Sequence, residues 1–380
     1  MSLLIFINVQ HHRCSGGIFV INQLAGFCTL NDNGYNSITP RFITDETHKM
    51  KLTTLITFAA LSSTALFTQA ADKEKLTVYT YSSFASDWGP GPKIEKAFEA
   101  SCDCDLEFVA LDDGVSVLNR LRLEGKHSSA DILLGLDTNL ISTAKKTGLL
   151  SEHGIELDTI NLPNGWNDST FVPFDYGYFA FIYNKNKLSN PPTSLKELVQ
   201  RDDISIVYQD PRTSTPGLGF MLWVKSVFAN NATEAWKQLA KKTVTVTKGW
   251  SEAYSMFLEG EADMVLSYST SPAYHIIAEG KQQYVAANFS EGHYTQTEVA
   301  AIVKSSQHKK LATQFMNFML SDDFQSNIAT GNWMYPVTNV SLPKEFKQLT
   351  VPVKSLSFSS DEVAKNNRAW IKEWLAAVID

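Results

Sequence analysis

The alternation of apolar and polar positions is clearest between residues 243 and 274. Apolar residues alternate at the start of this segment, which predicts a short strand, and then recur at the spacing of one helix face. A second apolar run at 264–266 ends in Tyr268 and several hydroxyl-bearing residues. Ligands bind where the strands of an open α/β sheet lead into helices, so this strand–helix–strand unit predicts a binding site. An aromatic residue such as Trp250, taken alone, is more often part of a core.

The segments before this unit predict a doubly wound α/β half. Apolar or alternating runs at 76–81, 105–111 and 130–136 predict strands, and residues at helical spacing separate them. Such alternation of strands and helices is typical of a parallel sheet. Segment 171–183 is unusually aromatic and lacks helical spacing. We therefore expect it to be an extended segment that crosses from one lobe to another.

The periodicity of the later segments predicts further helices and strands. The predicted helices cover 194–200, 218–228, 311–320 and 361–378, and the predicted strands cover 204–208, 284–289 and 296–302. Residues 331–336 are predicted to be an irregular loop, because Gly331 and Pro336 stand at its two ends.

The loop before the helix at 218–228 carries two hydroxyl groups. Thr215 is predicted to be the N-cap of this helix, with Pro216 as its first residue. Free backbone N–H groups at a helix start, together with the hydroxyls of Ser214 and Thr215, can cradle an anion. A plain helix cap is the commoner use of such residues, and the loop alone favours that interpretation.

Composition narrows the function classes. The 380 residues suffice for two domains, and 44% hydrophobic with 19% charged residues is typical of a globular protein. A net charge of -7 argues against a nucleic-acid partner. The sequence has no dinucleotide fingerprint, phosphate loop, nucleophile elbow or zinc-protease helix motif, which favours a binding protein over an enzyme. Adjacent Asp112 and Asp113 would point apart in an extended segment, and His275 and His293 are interpreted as surface or packing residues.

The N-terminal part resembles an export signal. Residues 50–70 combine a positive start, an apolar run and small residues before a cleavage point after Ala70 or Ala71, which predicts a secretory signal peptide. Residues 1–49 have no steady periodicity, and our hypothesis is that they are a spurious extension upstream of the true start. The rest is predicted to form lobe 1 (71–173), lobe 2 (174–290) and a return to lobe 1 with the C-terminal helices (291–380).

Two of the four cysteines form a Cys-Asp-Cys sequence, Cys102 and Cys104, just before a predicted strand. A zinc site would need two more ligands, and neither a second cysteine pair nor a histidine pair accompanies this one. In an oxidising compartment we expect a short-range disulfide. Two free thiols are the alternative.

Long motifs of the chain resemble the periplasmic thiamine-binding proteins of bacterial ABC importers. The resemblance covers nearly all of the region after residue 76 and none of residues 1–49. It rests on YTYSSFASDWGPGP, VALDDGVSVLNRL, FVPFDYGYFAF, YQDPRTSTPGLG, TVTVTKGWSEAY, LSYSTSPAYHI, NFSEGHY and TGNWMYP. It implies a type II periplasmic-binding-protein fold of the α/β class, in which two doubly wound lobes joined by crossing strands close on a ligand in the cleft between them.

The same resemblance implies a function. The expected ligands are thiamine, thiamine monophosphate and thiamine diphosphate, delivered to an inner-membrane ABC permease with its ATPase subunit. The expected protein is a periplasmic, non-catalytic monomer that needs no cofactor and no metal.

The resemblance also implies ligand-binding positions. They are Asp113, Gly114, Ser214, Thr215, Trp250, Tyr268, Ser269, Thr270, Ser271 and Trp333, with Tyr81 and Tyr274 in the same aromatic surround. Tryptophan faces attract a cation such as the thiazolium by about 0.5–2 kcal/mol each. Asp113 can complement that cation or accept from the pyrimidine amino group. A phosphate is expected at the Ser214–Thr215 helix start, with Tyr268 and Ser271 as further donors.

Two rival functions share this fold. A thiamine-degrading enzyme would use a cysteine nucleophile, but Cys102 and Cys104 have no evident activating partner in the sequence. A ferric-iron or other metal-binding protein would use neighbouring tyrosines, whereas Tyr268 stands alone in its motif.

Overall fold

The computed structural model describes residues 20–21, 24–25, 73–163 and 165–379. Contacts divide the chain into two units, Met1–Gln69 and Ala70–Asp380. In the first unit the described residues form two short antiparallel strands, β1 (Val20–Ile21) and β2 (Leu24–Ala25). The predicted extension at 1–49 is otherwise outside the described residues, as is the predicted signal peptide at 50–70.

The second unit alternates strands and helices along most of its length. Its strands are β3 (Glu74–Tyr81), β4 (Cys104–Leu111), β5 (Ile132–Asp137), β6 (Phe171–Asn184), β7 (Ile206–Gln209), β8 (Thr243–Thr247), β9 (Met264–Tyr268), β10 (Tyr284–Ala286), β11 (His293–Ile302), β12 (Tyr335–Pro336) and β13 (Ser355–Leu356). Its α-helices are α1 (Ser82–Ala85), α2 (Gly91–Glu99), α3 (Gly114–Glu124), α4 (Ile141–Lys145), α5 (Leu195–Gln200), α6 (Thr215–Phe228), α7 (Ala232–Lys242), α8 (Trp250–Glu259), α9 (Pro272–Ala278), α10 (Lys309–Phe318), α11 (Asp322–Asn327) and α12 (Ser360–Ile379).

The sheet has two parallel halves with antiparallel strands between them. Its main path runs β4-β3-β5-β11-β6-β9-β7-β8. The first three strands are parallel to one another, and so are the last three. Strand β6 pairs with β11 through its first residues and with β9 through its last, so it passes from one half to the other. The predicted crossing segment at 171–183 is confirmed, and with it the two-lobed α/β fold.

Each half has its own apolar core. In the first half, side chains of β3 and β5 pack against α2 and α10, and Leu76, Ile132 and Phe315 are fully buried there. In the second half, α6 is buried from Thr215 to Val224, because the sheet covers one side of it and α7 and α12 lie on the other.

The elements differ from the sequence predictions in three places. The N-cap of α6 is Ser214 and not Thr215, because the Ser214 hydroxyl accepts from the Gly217 N–H while Thr215 is already helical. Residues 331–336 are not wholly irregular. A π-helical turn spans Ile328–Asn332, and Tyr335–Pro336 pairs with β6. Helices α1, α4, α7, α9 and α11 had no prediction.

The C-terminal helix α12 touches both halves, since it packs against α7 and α4. The indole N–H of Trp374 donates to the Tyr208 hydroxyl at 3.1 Å, which ties this helix to β7.

The residue bounds proposed for the lobes stay predictions. Within the described ranges, no helix combines the length and apolarity that a membrane span requires.

Candidate ligand-binding cleft

A cavity of about 280 Å³ lies where the two halves of the sheet meet. Seven aromatic side chains line it: Tyr81, Trp88, Trp250, Tyr254, Tyr268, Tyr274 and Trp333. Two carboxylates, Asp113 and Glu298, are also in the lining. No Lys, Arg or His is among the described residues that line it. The cavity therefore joins aromatic walls to negative charge, which is the chemistry that attracts an organic cation.

Trp250 forms one wall and is held from two sides. It is the first residue of α8, and its indole N–H donates to the Ser267 hydroxyl at 2.7 Å. Its ring stacks on Tyr254, with centroids 4.8 Å apart. Trp88 lies at a centroid distance of 6.2 Å and is 57% exposed, so it stands at the mouth of the cavity. Because Trp250 is fixed before any ligand arrives, little ordering cost is left for binding.

Trp333 comes from the opposite half, on a strained loop. Its φ is 57°, in the left-handed region, and it directly follows the π-helical turn. A bulky residue in that region costs on the order of 1–3 kcal/mol, and such outliers cluster at functional sites. Its ring meets Tyr274 edge to face at 5.4 Å. This unusual backbone conformation places the Trp333 ring in the lining of the cavity.

The floor of the cavity is a hydrogen-bonded carboxylate group. The Tyr81 hydroxyl donates to Glu298 Oε2 at 2.7 Å, and the Gln296 amide donates to Glu298 Oε1 at 2.9 Å. Behind Glu298 lies Asp175, fully buried, which accepts from the Asn332 amide at 2.6 Å. These bonds fix the carboxylates in place, so the negative charge of the floor has a defined position.

Asp113 joins helices of the two halves. It is the N-cap of α3 and accepts from the Gly114 N–H at 2.7 Å. It also accepts from the Ser214 hydroxyl at 2.7 Å and from the Thr215 N–H at 3.3 Å, both at the start of α6. Burial raises the pKa of Asp113, and these hydrogen bonds oppose that rise. The carboxylate therefore occupies the anion-binding end of α6.

Seven of the predicted positions line the cavity: Tyr81, Asp113, Trp250, Tyr268, Ser271, Tyr274 and Trp333. The Tyr268 hydroxyl donates to the Gln296 side-chain oxygen at 3.1 Å, so this tyrosine belongs to the same network as the floor. Ser271 exchanges a hydrogen bond of 2.7 Å with Ser267, the partner of the Trp250 indole. The structure thus brings the two strand ends of segment 243–274 together in one wall.

The other five predicted positions are buried behind the wall: Gly114, Ser214, Thr215, Ser269 and Thr270. A Cβ at Gly114 would lie 2.1 Å from the Gly135 carbonyl oxygen, so this glycine allows a close approach of backbones. The Thr270 hydroxyl contacts the Met334 sulfur at 3.6 Å. The Ser214 hydroxyl donates a hydrogen bond to Asp113 and is not exposed to the cavity. The expected phosphate cradle at Ser214–Thr215 is therefore filled by the protein's own carboxylate in this structure.

Several lining residues had no prediction from the sequence. They are Ser83, Trp88, Pro216, Ser251, Tyr254, Ser255, Leu258, Glu298, Gly331, Asn332 and Met334. Glu298 carried the one usable signal, because it is the one charged residue in the predicted strand 296–302. Its importance depends on Asp175 in another strand, which no local pattern shows.

The remaining candidate groups lie away from the cavity. Cys102 and Cys104 form a disulfide, as expected, and neither lines the cavity. His275 and His293 are both buried and hydrogen-bonded, which agrees with a packing role. Asp112 is exposed and pairs with Lys248 at 2.8 Å, so it does point away from Asp113. Among the described residues, no group of three or more His, Cys, Asp or Glu is placed to hold a metal ion.

Two parallel sheet halves, a strand that crosses between them and an aromatic cleft where they meet define a protein that encloses a small solute. The sequence matches the family described as bacterial extracellular solute-binding protein over residues 91–326. The chain belongs to this family.

Individual relatives are similar over nearly their whole length. The chain is 62% identical over 307 residues to the thiamine-binding periplasmic protein of Escherichia coli (strain K12), covering 80% of this chain and 94% of that protein. It is 50% identical over 331 residues to the thiamine-binding periplasmic protein of Brucella abortus biovar 1 (strain 9-941), covering 86% and 99%. A solved structure of a periplasmic thiamin binding protein matches with a TM-score of 0.80 at 62% identity, covering 80% of this chain and 96% of that chain.

Proposed function

We propose that this protein binds thiamine, thiamine monophosphate and thiamine diphosphate in the cleft and delivers them to an ABC importer. The observation that carries the proposal is the cavity of seven aromatic side chains over buried carboxylates, with no cationic group among the described residues of its lining. Thiamine is a permanent cation with two flat rings, so this lining complements both its charge and its shape. The relatives named above support the same ligand class.

The phosphate esters require hydrogen-bond donors in addition. The cavity offers the hydroxyls of Ser83, Ser251, Ser255 and Ser271. Hydroxyl groups, unlike a Lys or Arg clamp, accept both an alcohol and a phosphate. We place the protein in the periplasm, exported by the signal peptide predicted at 50–70, with a membrane permease and its ATPase subunit as partners.

Titration of the purified protein with thiamine tests the proposal directly. Because Trp250 and Trp333 face the cavity, we expect a large change in tryptophan fluorescence that saturates, and calorimetry should give the same dissociation constant. A flat response in both measurements would refute the proposed ligand.

The buried position of Ser214 gives a prediction about phosphate recognition. We expect Ser214→Ala to weaken thiamine and thiamine diphosphate binding by a similar factor. The loss should be about 1–2 kcal/mol, or roughly 5- to 30-fold, because one hydrogen bond to Asp113 is lost. Calorimetry with the two ligands measures the ratio.

Ser205→Ala is the matched control, since Ser205 also donates to an aspartate, Asp263, at 2.7 Å but on the surface. It should leave both affinities unchanged. If Ser214→Ala weakened only the diphosphate, the result would support the predicted direct phosphate contact at the start of α6.

The proposal includes no catalytic step. In the described chain, the only cysteines are joined to each other in a disulfide, so neither supplies a free thiolate nucleophile. We expect thiamine to be recovered intact after hours with the protein, as measured by chromatography. Steady loss of thiamine that Cys102→Ala stopped would identify an enzyme instead.

A further inference from the structure

Two carboxyl groups meet at the floor of the cleft because the crossing strands β6 and β11 place them side by side. Glu298 of β11 stands opposite Asp175 of β6 in the register of the sheet. Glu298 is 4% exposed and lines the cavity, whereas Asp175 is fully buried behind it. Two like charges at this depth cannot both ionise without a counter-ion.

The hydrogen bonds made by the four carboxyl oxygens of Glu298 and Asp175 leave one oxygen without a donor. Both oxygens of Glu298 accept from neutral donors, Tyr81 and Gln296, and Asp175 Oδ2 accepts from Asn332. Asp175 Oδ1 is buried without another partner. Because Glu298 stands opposite Asp175 in the sheet, a proton on one of the two carboxyl groups can be donated to the other and would satisfy this oxygen.

In the part of the chain that the structure describes, the groups around the pair are negative or neutral. Asp113 faces Glu298 from the start of α3, and Asp137 of β5 is its register partner on the other side. The phenols of Tyr81 and Tyr268 complete the set. Burial raises the pKa of Asp175 to about 7. Burial and then the neighbouring Asp175 raise the pKa of Glu298 well above its usual range.

We propose that Glu298 selects a cationic ligand over a neutral one of the same shape, and that the ligand's positive charge replaces the proton shared by Glu298 and Asp175. The proposal rests on the proposed function and adds the group that recognises charge. On binding, the shared proton leaves for the solvent and the pair becomes doubly negative beside the cation. A neutral ligand cannot stabilise that state, so it binds without releasing the proton.

The affinity for thiamine should depend on pH, because binding releases the proton shared by Glu298 and Asp175. Below the raised pKa of the empty pair, binding must expel a proton, and affinity for the cation therefore rises with pH. The rise is at most about tenfold per pH unit for one proton, and it should continue through about pH 7, because burial and the neighbouring Asp175 hold the pKa of Glu298 well above its usual range. A neutral ligand should show no such rise.

Calorimetry of the full-length protein tests this with two probes. One is thiamine, and the other is the neutral analogue in which a thiophene ring replaces the thiazolium. Titrations from about pH 6 to about pH 8, in buffers of different ionisation enthalpy, count the protons released. For the wild type we expect up to one proton released with thiamine, none with the analogue, and tighter binding of thiamine.

Glu298→Gln is the informative variant. Glutamine has the shape of a protonated glutamate and its amide can donate to Asp175, so the fold should be retained. We expect proton release to disappear and the preference for thiamine over the analogue to fall by about tenfold or more. Glu107→Gln is the matched control, because Glu107 is an exposed carboxylate on β4 that pairs with Lys75. It should change neither quantity.

Asp175→Asn separates the two parts of the proposal. It removes the second carboxyl group but keeps the carboxylate that lines the cavity, so proton release should fall while the preference for the cation remains. If Glu298→Gln does not fold, Asp175→Asn still tests whether the carboxyl pair releases a proton when thiamine binds. Unchanged proton release or unchanged preference in Glu298→Gln would overturn the proposal, and so would unchanged proton release in Asp175→Asn. If wild-type protein bound neither probe, the proposed function itself would fail.

Discussion

Replacement of Trp250 by alanine is expected to weaken thiamine binding by about 2–3 kcal/mol, or roughly 30- to 150-fold. The indole stacks on Tyr254 and is pinned by Ser267, so it presents a fixed face to the cavity. Its loss removes a cation–π contact and also unpacks one wall. Calorimetry with thiamine measures the change.

Trp250→Phe separates the two contributions, because phenylalanine keeps an aromatic face but loses the bond to Ser267. We expect a smaller loss, of about 0.5–1.5 kcal/mol. Trp370→Phe is the matched control, since Trp370 packs against Phe358, away from the cavity. A dissociation constant for Trp250→Ala close to that of the wild type would show that this wall does not touch the ligand.

The spacing of apolar and aromatic residues was sufficient to predict those parts of the fold that a single continuous segment forms. Segment 171–183 was predicted to cross between lobes because its aromatic residues have no helical spacing, and β6 does so. The positions in segment 243–274 that reach the cavity come from one face of α8, the end of β9 and the loop and helix that follow it. In each case the residues that form the feature are close together in the sequence, so their periodicity contains the information.

The carboxylate floor was not predictable in this way. Glu298 and Asp175 become neighbours only because β11 and β6 pair in one register, and a slip of one residue would turn one of them away. Neither strand alone indicates that the other supplies a second carboxyl group. Register between distant strands is set by the whole core, so it was outside the reach of motif analysis.

The start of α6 shows another limit of motif analysis. The sequence indicates that Ser214 and Thr215 can stabilise an anion, and in the structure both donate to Asp113 of the other half. Binding of a phosphate at this helix start stays a prediction. The contact makes Asp113 a link between the halves as well as a wall of the cavity.

Asp113→Asn is therefore expected to lower thiamine affinity by about 2–4 kcal/mol, or roughly 30- to 700-fold. The variant loses one negative charge from the cavity, and its amide NH₂ cannot accept from the N–H groups that converge there. Asparagine is as good an N-cap as aspartate, so α3 should persist and the melting temperature should change little. The loss should thus appear in binding more than in stability.

Asp112→Asn provides the control from the adjacent position. Asp112 is exposed and pairs with Lys248, and an exposed pair contributes only about 0–1 kcal/mol. Calorimetry gives the affinities, and small-angle X-ray scattering shows whether thiamine still compacts each protein. If Asp113 joins the halves, Asp113→Asn should compact less at saturating thiamine while Asp112→Asn behaves as the wild type. Equal affinities in the two variants would mean that the hydrogen bonds from Ser214 and Thr215 to Asp113 do not contribute to closure of the cleft.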